Sequence, residues 1–196
     1  MIFGSHNSWS YLKSKRWWLK PFSFIIRCQN VNIKNQYLCY NIRCFDLRIN
    51  FDKNGKLYIS HGSFIFNYTE EDLMKDLEFL NNRTERCYVR MIYEVRTKKR
   101  YTEEKAKLFR EKCKEFEEKF PRLIFWCGKS IARWNELAEY KFKNEDPSCE
   151  ELYSSVCSPK YLDDWFPWLF AKLNNKKIKK LNLNSDILLF DFVNLE

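Results

Sequence analysis

From Ile42 to Ile49 apolar and polar residues alternate, the period-two signature of a strand with one polar face. Asp52-Lys53-Asn54-Gly55 reads as a turn, and Lys56 to Ser60 as the strand that follows it. At Thr69-Glu70-Glu71-Asp72 the period lengthens: a helix start precedes an apolar face of Leu73, Leu77 and Leu80. Arg86 to Val95 is a further strand. Thr102 is an N-cap for a charged helix that runs to about Phe120, turns Leu108, Phe109, Cys113 and Phe116 inward, and is closed by Pro121. Arg122 to Cys127 then reads as a strand, Ile131 to Tyr140 and Tyr161 to Asn174 as helices, and Asp186 to Val193 as a buried terminal strand. Met1 to Phe3 has room only for a short strand.

Strand and helix alternate through most of the chain, which predicts an α/β architecture. Six or seven strand candidates suit a small barrel better than a short open sheet. With 196 residues the chain lies just below the ~200-residue lower end of (β/α) barrels, so some helices should be short or replaced by loops. The 45% hydrophobic and 18% aromatic content suffices for one core, and no linker or repeat interrupts it. A single domain over residues 1–196 is therefore expected.

The 35 Lys and Arg against 26 Asp and Glu leave a formal charge of +9, which favours anionic partners. The run Lys176-Lys177-Ile178-Lys179-Lys180 reads as a solvated helix end. Eight cysteines form no CxxC pair, and only two histidines are present to join them, so neither a structural zinc site nor a disulfide framework is expected. The N-terminus carries no secretory pattern, and the apolar stretch Trp17 to Ile26 is broken by Lys20 and Pro21. A cytoplasmic protein with free thiols is the expectation.

Both histidines occupy small-residue turns just after a strand, Gly4-Ser5-His6-Asn7-Ser8 and Ser60-His61-Gly62-Ser63. Small neighbours leave room for a substrate and permit unusual backbone angles. Two imidazoles are what phosphodiester cleavage by an adjacent hydroxyl requires, one as base and one as acid. Strand alternation puts Asp46 and Arg48 on one face, where the guanidinium can meet phosphoryl oxygens.

In these pieces the sequence resembles the catalytic X-type region of phosphatidylinositol-specific phospholipase C, particularly its bacterial branch. Gly4 to Ser8 resembles the first histidine motif, Gln36 to Arg48 a helix-to-strand segment, Leu57 to Gly62 the second histidine motif, and Leu188 to Asn194 a terminal strand. The resemblance implies a distorted TIM-type barrel with its site at the C-terminal ends of the strands. It also implies an Asp191 that supports His6, and cleavage of an inositol lipid to a cyclic phosphate and a diacylglycerol. The mechanism expected has His6 as base, His61 as acid, Arg48 on the phosphoryl oxygens and Asp46 holding Arg48, with Asn7 and Glu94 as substrate contacts.

Where bacterial members carry Asp after the first histidine, this chain has Asn7, as calcium-dependent animal enzymes do. Those enzymes have a carboxylate at the position of Arg48, and a guanidinium there repels a cation. Asn7, Asp46 and Glu94 offer oxygens, so calcium is disfavoured and no cofactor is expected. Glu94 reads equally as a salt-bridged carboxylate between Arg90 and Arg96. The expected partner is an anionic phosphodiester, in solution or at a membrane surface, with no obligate protein partner and no nucleic acid. Two other readings remain: a metal-dependent glycerophosphodiester phosphodiesterase, whose usual Glu-x-Asp pair is absent at Asp46-Leu47-Arg48, and a non-catalytic basic module for lipid or nucleic acid. Trp9, Trp17, Trp18 and Phe22 are read as packing rather than as interfacial rings.

Overall fold

The alternation around Asp46 becomes strand β2, Cys44–Phe51. A computed structural model describes residues 1–95, 101–127, 140–154 and 166–195. β2 pairs in parallel with β1, Ile2–Ser5, along its first half, and with β5, Tyr88–Tyr93, along its other edge. β1 pairs in parallel with β8, Ile187–Phe190, which pairs with β7, Cys149–Leu152; β5 pairs with β6, Ile124–Trp126. The result is a curled run of parallel strands in the order β7-β8-β1-β2-β5-β6. A hairpin of β3, Leu57–His61, and β4, Phe64–Ile65, is antiparallel to the second half of β2 and shares the edge used by β1.

Each strand turns alternate side chains into the barrel. Along the direction of the chain these inward residues change from apolar to polar: Ile2, Gly4, His6; Cys44, Asp46, Arg48; Ile187, Leu189, Asp191. Cys44, Trp126, Ile187 and Leu189 form a fully buried plug at the N-terminal end. Phe45, Leu47 and Ile49 face the other way, into the larger core under the helices. Polar groups are thereby left for the C-terminal mouth.

The helices follow from local signals. Thr69 closes a capping box on α3, Glu70–Asn81, whose Leu73, Leu77 and Leu80 are buried. The Thr102 side chain caps α4, Glu103–Lys119, which buries Phe109, Cys113 and Phe116, while Leu108 is only partly covered. Short α1, Ser23–Ile26, and α2, Ile33–Tyr40, precede β2. The last helix, α5, spans Pro167–Ile178. It runs beyond the expected end at Asn174, because Ala171, Asn175 and Ile178 continue its buried face. The expected helix at 131–140 lies outside the described residues up to 139, as does the expected start at Tyr161. Strand β7, with the sequence Cys-Glu-Glu-Leu, was not expected. Of the basic run expected to be solvated, Lys176, Lys177 and Lys180 are exposed, whereas Lys179 is partly covered and donates to the carbonyls of Val193 and Leu195.

Seven of the eight cysteines are described, and all seven are free. Among the described residues no helix is long and apolar enough to cross a membrane. The tryptophans divide. Trp9 is fully buried with its indole N–H on Asp76, whereas Trp17, Trp18 and Phe22 stand exposed on a 3-10 turn, Trp17–Phe22, that buries none of its residues. Six residues containing Pro21 are too short a segment to cover their own rings, so the packing expected for Trp17, Trp18 and Phe22 does not hold.

Candidate active site

The parallel pairing of β1 with β8 sets His6 beside Asp191, each one residue past its strand's end. His6 Nδ1 lies 2.7 Å from Asp191 Oδ1, and the His6 backbone N–H donates to Phe190 O. A carboxylate accepts, so Nδ1 carries the proton. Arg48 Nη2 lies 2.7 Å from His6 Nε2; a guanidinium only donates, so Nε2 presents its lone pair. The two contacts together fix the tautomer of His6. Asp191 Oδ2 also accepts from the backbone N–H and the hydroxyl of Ser154.

The loop after β1 is strapped from several sides. Asn7 has φ of 47°, in the left-handed region that an asparagine tolerates better than most residues. Its backbone N–H donates to Asp46 Oδ2, and Ser8 Oγ accepts from the Asp46 N–H. Gln29 donates to the carbonyls of His6 and Phe190 and accepts from Val193 N–H, stapling the two strand ends together. The Asn7 amide is buried with no hydrogen-bond partner for either atom among the described residues. Such an orphaned pair is a place for a ligand's polar groups.

Gly4 has another reason to be glycine than the substrate room expected of it. A Cβ there would lie 2.4 Å from Leu189 Cδ2 and 2.8 Å from Cys44 Cβ, inside the apolar plug. Gly62 does fit the turn argument, with φ of 58°.

His61 ends β3 and faces His6 across the mouth, with ring centroids 6.3 Å apart and planes at 85°. Its Nδ1 is 2.9 Å from the carbonyl of Ile26, which can only accept, so Nδ1 again carries the proton and Nε2 is the free nitrogen. Burial, and then the charges of Arg48 and His6, lower its pKa from 6.5 to about 3. In the free protein His61 is neutral at pH 7.

Asp46 and Arg48 share a face of β2 and an ion pair of 2.9 Å. Arg90, one strand over on β5 and fully buried, bonds the other oxygen of Asp46 at 3.1 Å and reaches Glu151 at 2.6 Å. Arg48 Nη1 lies 3.9 Å from Glu94 Oε2, and Glu94 Oε1 accepts from the Gly62 N–H. Five charges thus alternate in sign: Glu151, Arg90, Asp46, Arg48, Glu94. Burial alone would raise the Asp46 carboxyl, but Arg48 and Arg90 hold it well below the usual carboxylate range. Burial opposes the charge of Arg48 and is more than offset by Asp46 and Glu94, so the guanidinium stays charged. Glu94 meets Arg48; Arg96, named with it from the sequence, lies outside the described residues.

Tyr153 stacks flat on His6, 3.6 Å between centroids and 3° between planes, and its hydroxyl donates to Glu151. Sequence reasoning named Arg90 only as a flank of Glu94, not as a partner of Asp46, and missed Glu151 and Tyr153. Period two was the available signal for Arg90, four residues before Glu94 in the same strand run, whereas Glu151 lies on β7, which carried no signal, and Tyr153 directly follows it.

A cation between Asp46 and Glu94 would meet the guanidinium of Arg48, so these oxygens do not fit calcium. Among the described residues, His6, Cys28 and Asp191 bring ligand atoms within 4.8 Å of one another. Burial and the Asp191 charge push the Cys28 thiol well up, keeping it protonated, and the His6 nitrogen nearest Asp191 is already engaged. A metal ion there would have to displace both protons.

No protein-family model matches the sequence, and comparison with curated proteins finds no significant match. Solved structures do match. Phosphatidylinositol-specific phospholipase C from Listeria monocytogenes superposes with a TM-score of 0.65 at 16% identity, over 97% of this chain and 87% of that one. The phosphatidylinositol-specific phospholipase C of Staphylococcus aureus, studied for the modulation of its membrane binding, gives 0.56 at 11% identity, over 97% and 85%. The chain shares with these enzymes a curled, TIM-like α/β barrel, the architecture anticipated from its alternating strands and helices.

Proposed function

We propose that this chain is a metal-independent phosphodiesterase of the phosphatidylinositol-specific phospholipase C type, cleaving a phosphodiester by attack of an adjacent hydroxyl. One observation carries the reading above all: two imidazoles, the only two in the chain, face each other at the mouth of a barrel, one of them touched by Arg48 and oriented by a buried carboxylate. That is the equipment for moving one proton off a nucleophile and another onto a leaving oxygen.

When the phosphodiester enters, its non-bridging oxygens draw the Arg48 guanidinium and free His6 Nε2. Nε2 then takes the proton of the hydroxyl beside the phosphodiester, and the imidazolium is stabilised by Asp191 through Nδ1. The hydroxyl oxygen attacks phosphorus in line, and the P–O bond to the alcohol breaks as the cyclic phosphate forms. His61 protonates the departing alkoxide. It is neutral in the free protein, so it has to acquire its proton in the complex, where the phosphodiester anion offsets the charge of Arg48 that lowers its pKa. Asp46 holds Arg48, the Asn7 amide and Glu94 contact the substrate's hydroxyls, and Tyr153 lies where a ring can cover the attacking face. An inositol lipid at a membrane surface is the substrate class this reading favours.

Hydrolysis of a chromogenic inositol phosphodiester, with and without chelator, tests the proposal. Turnover equal in both conditions supports it. Turnover that disappears with chelator and returns with calcium favours a metal enzyme instead, and no turnover in either favours a binding module.

A further inference from the structure

His61 stands on a slight element. β3 and β4 meet in a two-residue turn, Gly62-Ser63, and β4, which contributes only Phe64 and Ile65, is the last strand on its side of the sheet. Gly62 takes a left-handed φ of 58° and stands exposed. In such a turn the N–H of the first turn residue has no acceptor within the hairpin, because His61 and Phe64 close the ladder. A misplacement of about 1 Å can cost roughly a hundredfold in rate, so a turn that carries an acid has to be fixed from elsewhere.

Glu94 reaches that turn. It directly follows β5, which lies on the opposite edge of β2 from the hairpin. Its backbone is pinned to the end of β2: the Glu94 N–H donates to the carbonyl of Ile49 at 2.8 Å, and the Asn50 side chain donates to the Glu94 carbonyl at 2.5 Å. From this fixed base the buried carboxylate extends past Arg48 to the hairpin. Oε1 accepts the Gly62 N–H at 2.8 Å, a charge-assisted hydrogen bond, whereas Oε2 lies 3.9 Å from Arg48 Nη1, beyond hydrogen-bond range. Of the two contacts, the one to Gly62 is the stronger hold. His61 is thus tied twice: the Ile26 carbonyl sets the direction of its ring, and Glu94 sets the place of the turn that carries it.

We propose that Glu94 is a positioning residue for the acid: its carboxylate fixes the His61-Gly62 turn over the reaction centre, so that its loss impairs protonation of the leaving oxygen and spares attack by the hydroxyl. This role rests on the assignment of His61 as acid and adds a residue that acts through it. Oε1 then belongs to the hairpin, and only Oε2 is left for a substrate hydroxyl. What the turn needs from Glu94 is an acceptor oxygen and not a negative charge. That requirement separates the role from a counter-ion to Arg48, for which the charge is everything.

Glu94→Ala and Glu94→Gln in the full chain, each assayed on inositol phosphodiesters with an alkyl alcohol or a nitrophenol leaving group, test this role. With the alkyl alcohol, Glu94→Ala should lose about a hundredfold in kcat; with nitrophenol, which departs without a proton, it should stay within about threefold of the parent. Glu94→Gln keeps a carbonyl oxygen for Gly62 and should stay within about fivefold on both, the difference between a charge-assisted and a neutral hydrogen bond. Added to His61→Ala, Glu94→Ala should cost less than about threefold more, since both damage one step. Equal loss on both leaving groups, or a loss that adds in full to that of His61→Ala, would make Glu94 a contact of substrate or of Arg48 alone and overturn the proposal. A glutamine variant as impaired as alanine would overturn it too. The hold on the turn is read without turnover: the chain has four glycines, so selective isotope labelling of glycine follows the Gly62 amide by NMR. Its exchange with solvent should be slow in the parent and in Glu94→Gln and fast in Glu94→Ala; fast exchange in the parent would overturn the proposal. A parent that turns over neither substrate would remove the catalytic reading and this role with it, an outcome distinct from turnover that ignores the leaving group.

Discussion

Arg48 donates to His6 Nε2 at 2.7 Å while Asp191 accepts from Nδ1 of the same ring at 2.7 Å, so the residue proposed as base is held in one tautomer and capped by the residue proposed to bind the phosphoryl oxygens. The base becomes available when the substrate draws its cap away. Both contacts can be read without turnover. With only two histidines in the chain, long-range proton–nitrogen NMR near pH 7 should show the proton on Nδ1 in each, fixed in His61 by the Ile26 carbonyl. A proton on Nε2 of His6 would contradict the arrangement.

Substitution of Arg48 should be costly in either direction of conservatism. Arg48→Ala should lower kcat/KM by about two to three orders of magnitude through loss of charge stabilisation. Arg48→Lys should recover little of it, because one ammonium cannot span Asp46, His6 and the phosphoryl oxygens as the planar fork does. Steady-state kinetics on an inositol phosphodiester decides this, and a lysine variant near parental activity would reduce Arg48 to a point charge.

Much of this site was readable before the structure, and the reason is the period of a strand. Asp46 and Arg48 had to share a face because they lie two apart in an alternating run, and two histidines in matching turns had few uses other than a common one. Arg90 obeys the same rule with Glu94, but it sits in a run that is apolar on both sides, so period two gave its face and not its bond to Asp46. Glu151 and Tyr153 were hidden because Cys149–Leu152 contains two glutamates and no β-branched residue; its strand exists through parallel pairing with β8, a tertiary cause. The exposed Trp17 and Trp18 were misjudged because aromatic content predicts burial on average and cannot see a 3-10 turn too short to bury its rings.

His61 should couple stability to acid. Its pKa is about 3 in the folded protein against an ordinary 6.5, so between those values the unfolded chain binds a proton that the folded one does not. Its contribution is complete above pH 6.5 and is lost as pH falls toward 3. Urea unfolding across pH 4 to 7 should therefore show a steeper acid loss in the parent than in His61→Gln; parallel curves would contradict the lowered pKa.

The same residue predicts a difference between two rate profiles. If the bound phosphodiester anion returns a proton to His61, the alkaline limb of kcat should lie at higher pH than that of kcat/KM, which reports the free protein. Coincident limbs would mean that substrate binding does not alter the protonation of His61.

Gly4 supports the mouth from below. Gly4→Ala should cost about 1 to 3 kcal/mol in chemical denaturation, since its Cβ would press on Leu189 and Cys44 in a fully buried plug. A stability unchanged from the parent would show that β1 and β8 can separate more easily than their packing indicates.

The most direct test of two histidines with separate duties is a leaving-group series. With an alkyl alcohol leaving group, whose pKa is high, His6→Ala and His61→Ala should each lose roughly two to four orders of magnitude in rate. With a nitrophenol or thiol leaving group, which departs as a stable anion, His61→Ala should regain much of its activity. His6→Ala should stay impaired, because the attacking hydroxyl still needs its base, and Asp191→Asn should follow His6→Ala. Equal responses of both histidine variants to leaving-group pKa, or no loss in either, would contradict the division into a His6 base and a His61 acid.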